Sequence, residues 1–354
     1  MQHLSEVRFG FIGAGQIAHH AADCLKRHPH AKLVAVQDLH EQRVKDLTGK
    51  HGVESVFTKI EDLLSHKSVD AVYIATPNKF HAPLAIQALE AGKHVMLEKP
   101  FAMSTAEANQ VIAAAKKADK VITVGMNQRF TGDSQKIKSL VEAGTFGEIY
   151  HAKAYWFRRT GIPKFGTWFV SKELAGGGSL YDIGVHMLDL CLWVMGNFSP
   201  VSVTGMTYTK FGNRGLGEGG WGMSDRSDVK FDVDDFSSAF IRFANGATVT
   251  LDTSWACHRP DGSRDNVELF GTEAGATLRP ARLFRAGTAP DSAYEVIEPK
   301  AQIAMPHQER LHNFVNHLRG EEALCVTPDQ ALAVQKILDG IAESARTGNE
   351  VKIH

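Results

Sequence analysis

The chain has 354 residues, 43% of them hydrophobic and 22% charged, and its 39 basic and 40 acidic side chains leave a net charge of −1. That length accommodates two domains, and a balanced charge with no basic stripe argues against a nucleic-acid or membrane-surface protein. No stretch approaches the ~18 apolar residues of a bilayer span, the amino terminus lacks a secretory h-region, and Cys24, Cys191, Cys257 and Cys325 form no close pair, so a cytoplasmic protein without a disulfide framework is expected.

Over residues 1–126, short β-branched runs alternate with helical patterns. Strands are expected at VRFGFIG (7–13), KLVAVQD (32–38), DAVYIAT (70–76), HVMLE (94–98) and VITVGM (121–126), with helices near 15–27, 40–50, 80–92 and 104–118. That alternation predicts a parallel, doubly wound α/β sheet whose strands are buried on both faces.

The first strand runs into FGFIGAGQIA, which places Gly13, Gly15 and Ala18 as G-x-G-x-x-A at a helix start opened by Gln16 and Ile17. Glycines there allow a tight turn and a close approach of pyrophosphate, and the helix amino terminus offers N–H donors and partial positive charge. Asp38 ends the second strand, where a carboxylate bonds both ribose hydroxyls of NAD and repels a 2′-phosphate. NAD is therefore expected over NADP, with Arg43 close enough to keep NADP open. Thr76, Pro77 and Asn78 follow the third strand, at the edge where such sheets bind ligands. Lys99 ends the fourth, its backbone expected to be extended before Pro100.

Beyond residue 127 the pattern changes. A helix near 132–143 and a strand at 148–157 lead into RRTGIPKFGTWFVSK, whose Arg158, Arg159 and Trp168 are substrate candidates. Guanidinium forks suit hydroxyls and carboxylates, and an aromatic face stacks on a ring. A helix is expected near 179–195, and from 200 to 298 strand follows strand, with Asn245-Gly246 as a hairpin turn. This predicts a second, α+β domain (127–354) with a large, mainly antiparallel sheet, closed by helices near 308–318 and 328–346, the last a candidate to pack back on the first domain. The glycine-rich segment 211–229 reads as a floppy surface insertion or, alternatively, as a lid or subunit-contact arm carrying Trp221.

Asp182 and His186 stand four residues apart in GGGSLYDIGVHMLDL, on one face of the expected helix among apolar neighbours. Burying them demands a partner or a reaction. A metal face of Asp182, His186 and Asp189 finds no further ligand, Asp189 reads as structural, and no metal is expected. A helix-start cap by Ser179 beside an internally bonded Asp–His pair is the structural alternative.

GAGQIA, AVQD, IATPNKFH, AGKHVMLEKP, VGMNQRF, GEI and GGGSLYDIGVHMLDLCLWVMG occur in one order, and together they resemble the glucose–fructose oxidoreductase, inositol dehydrogenase and MocA family (Gfo/Idh/MocA). The resemblance implies a Rossmann domain and an NAD(P)-dependent oxidoreductase acting on a sugar, cyclitol or related polyol, working as a homodimer or homotetramer. It implies that Lys99, Asp182 and His186 are catalytic, and it adds His81, Glu98 and Asn127 to the cofactor contacts. Where many relatives read N-R-R, this chain has Asn127, Gln128 and Arg129, so a neutral amide at Gln128 alters the expected substrate contacts. A redox-assisted glycoside hydrolase and a non-enzymatic nucleotide-binding regulator are the rival functions.

Overall fold

The computed structural model describes residues 3–222, 230–287, 295–299 and 309–354, so residues 223–229 of the glycine-rich segment lie outside the described residues. The chain divides into two compact units: Met1–Gly125 with Glu309–Leu332, and Met126–Gln308 with Ala333–His354.

The first unit is built on six parallel strands, β1 (Val7–Ile12), β2 (Ala31–Gln37), β3 (Ser55–Phe57), β4 (Ala71–Ile74), β5 (His94–Leu97) and β6 (Ile122–Val124), in the order β3-β2-β1-β4-β5-β6. This is the Rossmann order, which reverses between β1 and β4 and opens its ligand crevice there, at the carboxyl ends of the strands. Every residue of β4 and β5 is buried, as strands covered by helices on both faces must be. β3 and the Ile60–Ser65 helix were not expected from sequence, because segments of 3 and 6 residues carry too few positions to show a period. The late segment adds the Arg310–Leu318 helix, which buries Leu311, Phe314, Val315 and Leu318 in the same core as Phe9 and Leu25.

His94 shows how tightly this unit is closed. It opens β5, is buried, and its Nδ1 accepts the Val121 N–H at 3.1 Å. Burial, the largest cause, lowers its pKa to about 4. The unfolded chain, with an ordinary histidine near ~6.5, binds the proton first, so stability is full above that pH and is lost as pH falls toward the folded value. His94→Asn keeps an acceptor for Val121 without a titrating ring. Between pH 7 and pH 5 the wild type is expected to lose about 2 kcal/mol more than this variant. Urea unfolding at the two pH values checks this; equal losses refute it.

The second unit carries nine strands: β7 (Ile149–Arg158), β8 (Pro200–Tyr208), β9 (Phe236–Phe243), β10 (Thr248–Ser254), β11 (Ser263–Gly271), β12 (Gly275–Leu278), β13 (Ala281–Arg285), β14 (Glu295–Ile297) and β15 (Val351–Lys352). Their order is β14-β13-β12-β11-β7-β10-β9-β8-β15, antiparallel except where β10 runs parallel to β7. Asn245-Gly246 makes the β9–β10 hairpin turn, with Gly246 at φ +87°. The Val185–Met195 helix packs against β7 and β11. Among the described residues no helix is long and apolar enough to cross a membrane.

Candidate active site

In the first unit the loops after β1, β2, β4 and β5 emerge at one edge. Gly13 has φ +96°, and a Cβ there would sit 2.6 Å from the Ala75 carbonyl oxygen, so only glycine lets the β1 and β4 loops approach this closely. Gly13 N–H donates to Gln37 O at 2.8 Å and Ala14 N–H to Asp38 Oδ2 at 2.7 Å, which anchors the Asp38 carboxylate beside the glycine turn. Gly15 opens the Gln16–Leu25 helix with no side-chain cap and no acidic residue in the first turn, and Gln16 and Ile17 are exposed.

A Cβ on Gly15 would meet nothing within 4 Å, leaving space over uncapped amides, which suits a pyrophosphate. Thr76 Oγ1 is buried with no hydrogen-bond partner among the described residues, a cost that a bound polar ligand removes. Pro77 is half-buried and Asn78 buried beside it. These observations fit a dinucleotide held by the first unit.

His81 joins two of these loops. Its Nδ1 lies 2.8 Å from Pro100 O and its Nε2 3.0 Å from Thr76 O, and burial is the main cause lowering its pKa. Glu98 is buried: its Oε1 accepts from Tyr73 Oη and from the Arg310 guanidinium, and its Oε2 accepts the Lys99 N–H at 3.4 Å. The Glu98 carboxylate thus serves an internal cluster that braces the backbone of Lys99. Arg310, 212 positions away, carried no local signal of this role. Lys99 is half-buried and precedes Pro100 through a cis peptide bond. Asn127 is exposed at the start of a single 3-10 turn after β6.

In the second unit the expected α-helix over 179–195 starts differently. Leu180–Gly184 is a π-turn, and the α-helix begins at Val185. The cause lies in Asp234, which takes the Gly178 N–H (2.7 Å), the Ser179 hydroxyl (2.7 Å) and the Leu180 N–H (3.0 Å). Ser179 is therefore a donor to Asp234 and not the cap of the structural alternative. A Cβ on Gly178 would lie 1.8 Å from the Asp234 carbonyl oxygen, which accounts for one glycine of the triplet. Single π-turns inside helices concentrate at functional sites, because they re-aim side chains.

Asp182 lies in that π-turn and His186 in the first α-helical turn, both half-buried between fully buried neighbours. The fully buried Trp255 donates its indole N–H to Asp182 Oδ2 at 2.9 Å. Sequence reasoning missed Asp234 and Trp255, since a cap or an orienting donor from a distant segment leaves no local pattern.

Both residues line a cavity of about 590 Å³ with Trp156, Arg158, Arg159 and Trp221. The His186 and Trp156 rings are 6.3 Å apart. The Arg158 guanidinium sits 4.8 Å from the Trp156 ring centre and 5.6 Å from that of Trp221. Burial lowers its pKa, and the charge of Asp182 opposes that shift. Arg159 is exposed and donates to Pro260 O at 3.3 Å.

Two substrate candidates fall elsewhere. Trp168 is absent from the cavity lining and stacks on Phe169 at 3.8 Å, and Phe169 in turn abuts Trp221. Gln128 Oε1 accepts from Arg279, which also pairs with Asp265. Asp189, the third member of the considered metal face, is fully buried against Arg129, with bonds of 2.9 and 2.6 Å.

Both units resemble known proteins. Residues 7–126 match the model of the oxidoreductase family with an NAD-binding Rossmann fold, and residues 134–277 match the GFO/IDH/MocA C-terminal domain. The chain is 34% identical over 353 residues to D-glucoside 3-dehydrogenase of Escherichia coli, covering 99% of this chain and 98% of that protein. It is 30% identical to myo-inositol 2-dehydrogenase of Thermotoga maritima over 268 residues, covering 75% of this chain and 73% of that protein. The crystal structure of GenD2 from gentamicin A biosynthesis in complex with NAD matches at TM-score 0.80 and 27% identity, covering 100% and 98% of the two chains. These matches cover both the sheet of parallel strands and the mainly antiparallel sheet, and the chain belongs to the Gfo/Idh/MocA family of oxidoreductases.

Proposed function

We propose that this protein oxidises a secondary alcohol of a sugar, cyclitol or related polyol, using NAD in preference to NADP. The observation that carries this reading is the pair Asp182 and His186, half-buried in a cavity that also presents indole and guanidinium groups. Relatives named as a glucoside and an inositol dehydrogenase support the substrate class.

Gly13, Gly15, Gln16, Ile17, Asp38, Thr76, Pro77, Asn78, His81, Glu98, Lys99 and Asn127 are assigned to the cofactor, directly or by bracing its loops. Bound NAD supplies the hydride acceptor. His186 receives the proton leaving the substrate hydroxyl, a task that matches the ordinary pKa range of imidazole. Asp182, held by Trp255, fixes the orientation of the reacting hydroxyl and of the imidazole. Lys99, in the first unit, is the third residue assigned a catalytic role, as a hydrogen-bond donor to developing negative charge. Arg158 and Arg159 contact the remaining hydroxyls, with Gln128 and Trp168 as outlying candidates.

The test is a panel of D-glucose, methyl D-glucosides, myo-inositol and levoglucosan, assayed with NAD and with NADP for the absorbance of reduced nicotinamide. Reduction with at least one ring alcohol, faster with NAD, is expected. Aglycone release without net reduced cofactor points instead to a redox-assisted hydrolase. Cofactor binding with no turnover across the panel overturns the dehydrogenase reading.

A further inference from the structure

The described part of the glycine-rich segment is not a loose insertion. Residues 217–222 run beside residues 161–165 and are joined to them along the backbone. Gly161 and Ile162 N–H both reach Gly217 O (3.0 and 2.9 Å), Gly219 N–H donates to Ile162 O at 2.7 Å, and Lys164 N–H donates to Trp221 O at 2.7 Å. The Phe165 N–H adds a bond of 2.6 Å to Glu218 Oε1. A Cβ at Gly219 would stand 2.7 Å from Gly161 Cα, so the two backbones touch where that glycine sits.

The arm therefore presents one large side chain, Trp221, in a fixed place. Its indole N–H donates to Gly161 O at 2.9 Å, and Phe169 meets it edge-on at 5.1 Å. At the base of the arm Asp235 takes the N–H groups of Lys210, Phe211 and Gly212 at 2.6 to 3.0 Å. A neighbouring carboxylate, Asp234, builds the π-turn under Asp182. Adjacent residues of one strand entry thus position both the reacting end of the cavity and its outer wall.

In the cavity wall these side chains neighbour one another in pairs: His186 with Trp156, and Arg158 with both Trp156 and Trp221. A cavity of about 590 Å³ is sized for a ligand larger than one hexose. The Trp156 and Trp221 indoles offer flat, polarisable surface beside the Arg158 guanidinium. Such a surface stacks on the face of a ring.

We propose that Trp221, with Trp156 and Arg158, forms an aglycone subsite, and that the preferred substrate is a glycoside whose aglycone is itself a ring, aryl or sugar. This rests on the reading of the Asp182–His186 end as the place of the reacting alcohol. Trp221 is a specificity residue; it takes no part in proton handling.

The test compares methyl and phenyl D-glucosides, in both anomers, on the intact protein with NAD. Wild type is expected to favour the better phenyl anomer over its methyl counterpart by about tenfold in kcat/KM, mainly through KM. Trp221→Ala should lose most of that preference, and Trp221→Phe, which keeps an aromatic face, should recover part of it and serves if the alanine variant does not fold. No preference in wild type, or an equal loss for both substrates in the variants, overturns the subsite. Calorimetric titration with phenyl D-glucoside separates this from the redox reading. Binding that weakens in Trp221→Ala without any turnover sustains the subsite and sinks the dehydrogenase; absence of both binding and turnover sinks the subsite.

Discussion

Replacing His186 with alanine is expected to cut kcat on the best ring alcohol by about 10²- to 10⁴-fold, the range for losing a positioned acid–base group. The effect should fall on kcat and kcat/KM together, because a proton acceptor acts in the transition state and adds little to ground-state binding. NAD affinity, measured by titration without substrate, should change little, since none of the residues assigned to the cofactor lies on the Val185–Met195 helix. Turnover within a factor of a few of wild type would remove His186 from the mechanism and leave Lys99 as the proton acceptor. The variant is expected to fold: His186 is half-buried at the cavity surface, whereas the apolar face of its helix is buried elsewhere.

The largest stability effect is expected beneath that helix. Arg129 and Asp189 have 0% exposure each and form a two-pronged ion pair, with Trp193 and Phe198 flanking the guanidinium. Burial raises the Asp189 pKa and Arg129 opposes the rise. Arg129→Leu strands the carboxylate in an apolar interior and should cost about 3–5 kcal/mol in urea unfolding. Adding Asp189→Leu should return most of that loss, because removing both charges is far less costly than orphaning one. Additive losses in the double variant would show that the pair contributes through packing alone.

These residues also show how far local patterns reach. The parallel sheet, the glycine turn and Asp38 were legible because each depends on neighbours in sequence: strand alternation, a tight turn and a helix start. Asp189 was rightly taken as structural, but its partner Arg129 could not be seen, lying 60 positions away. Asp182 and His186 stood out as polar positions in an apolar helix, yet the π-turn that aims Asp182 comes from Asp234, a distant carboxylate. By sequence Trp168 is a substrate candidate, and Trp221 only part of a lid or subunit-contact arm. Only the pairing of 217–222 with 161–165 puts one in the cavity wall and the other behind Phe169.

By itself, then, the amino-acid order determined the parallel and the mainly antiparallel sheets, the glycine turn, and the acid and imidazole four residues apart, since short-range sterics and side-chain periodicity decide those. Tertiary structure alone decided which donors hold Asp182, which carboxylates cap the π-turn and the arm, and which indole faces the cavity. Each of those choices is a hydrogen bond or ring contact between segments tens of residues apart, and its energy depends on where the backbone brings them, a quantity absent from any local stretch of chain.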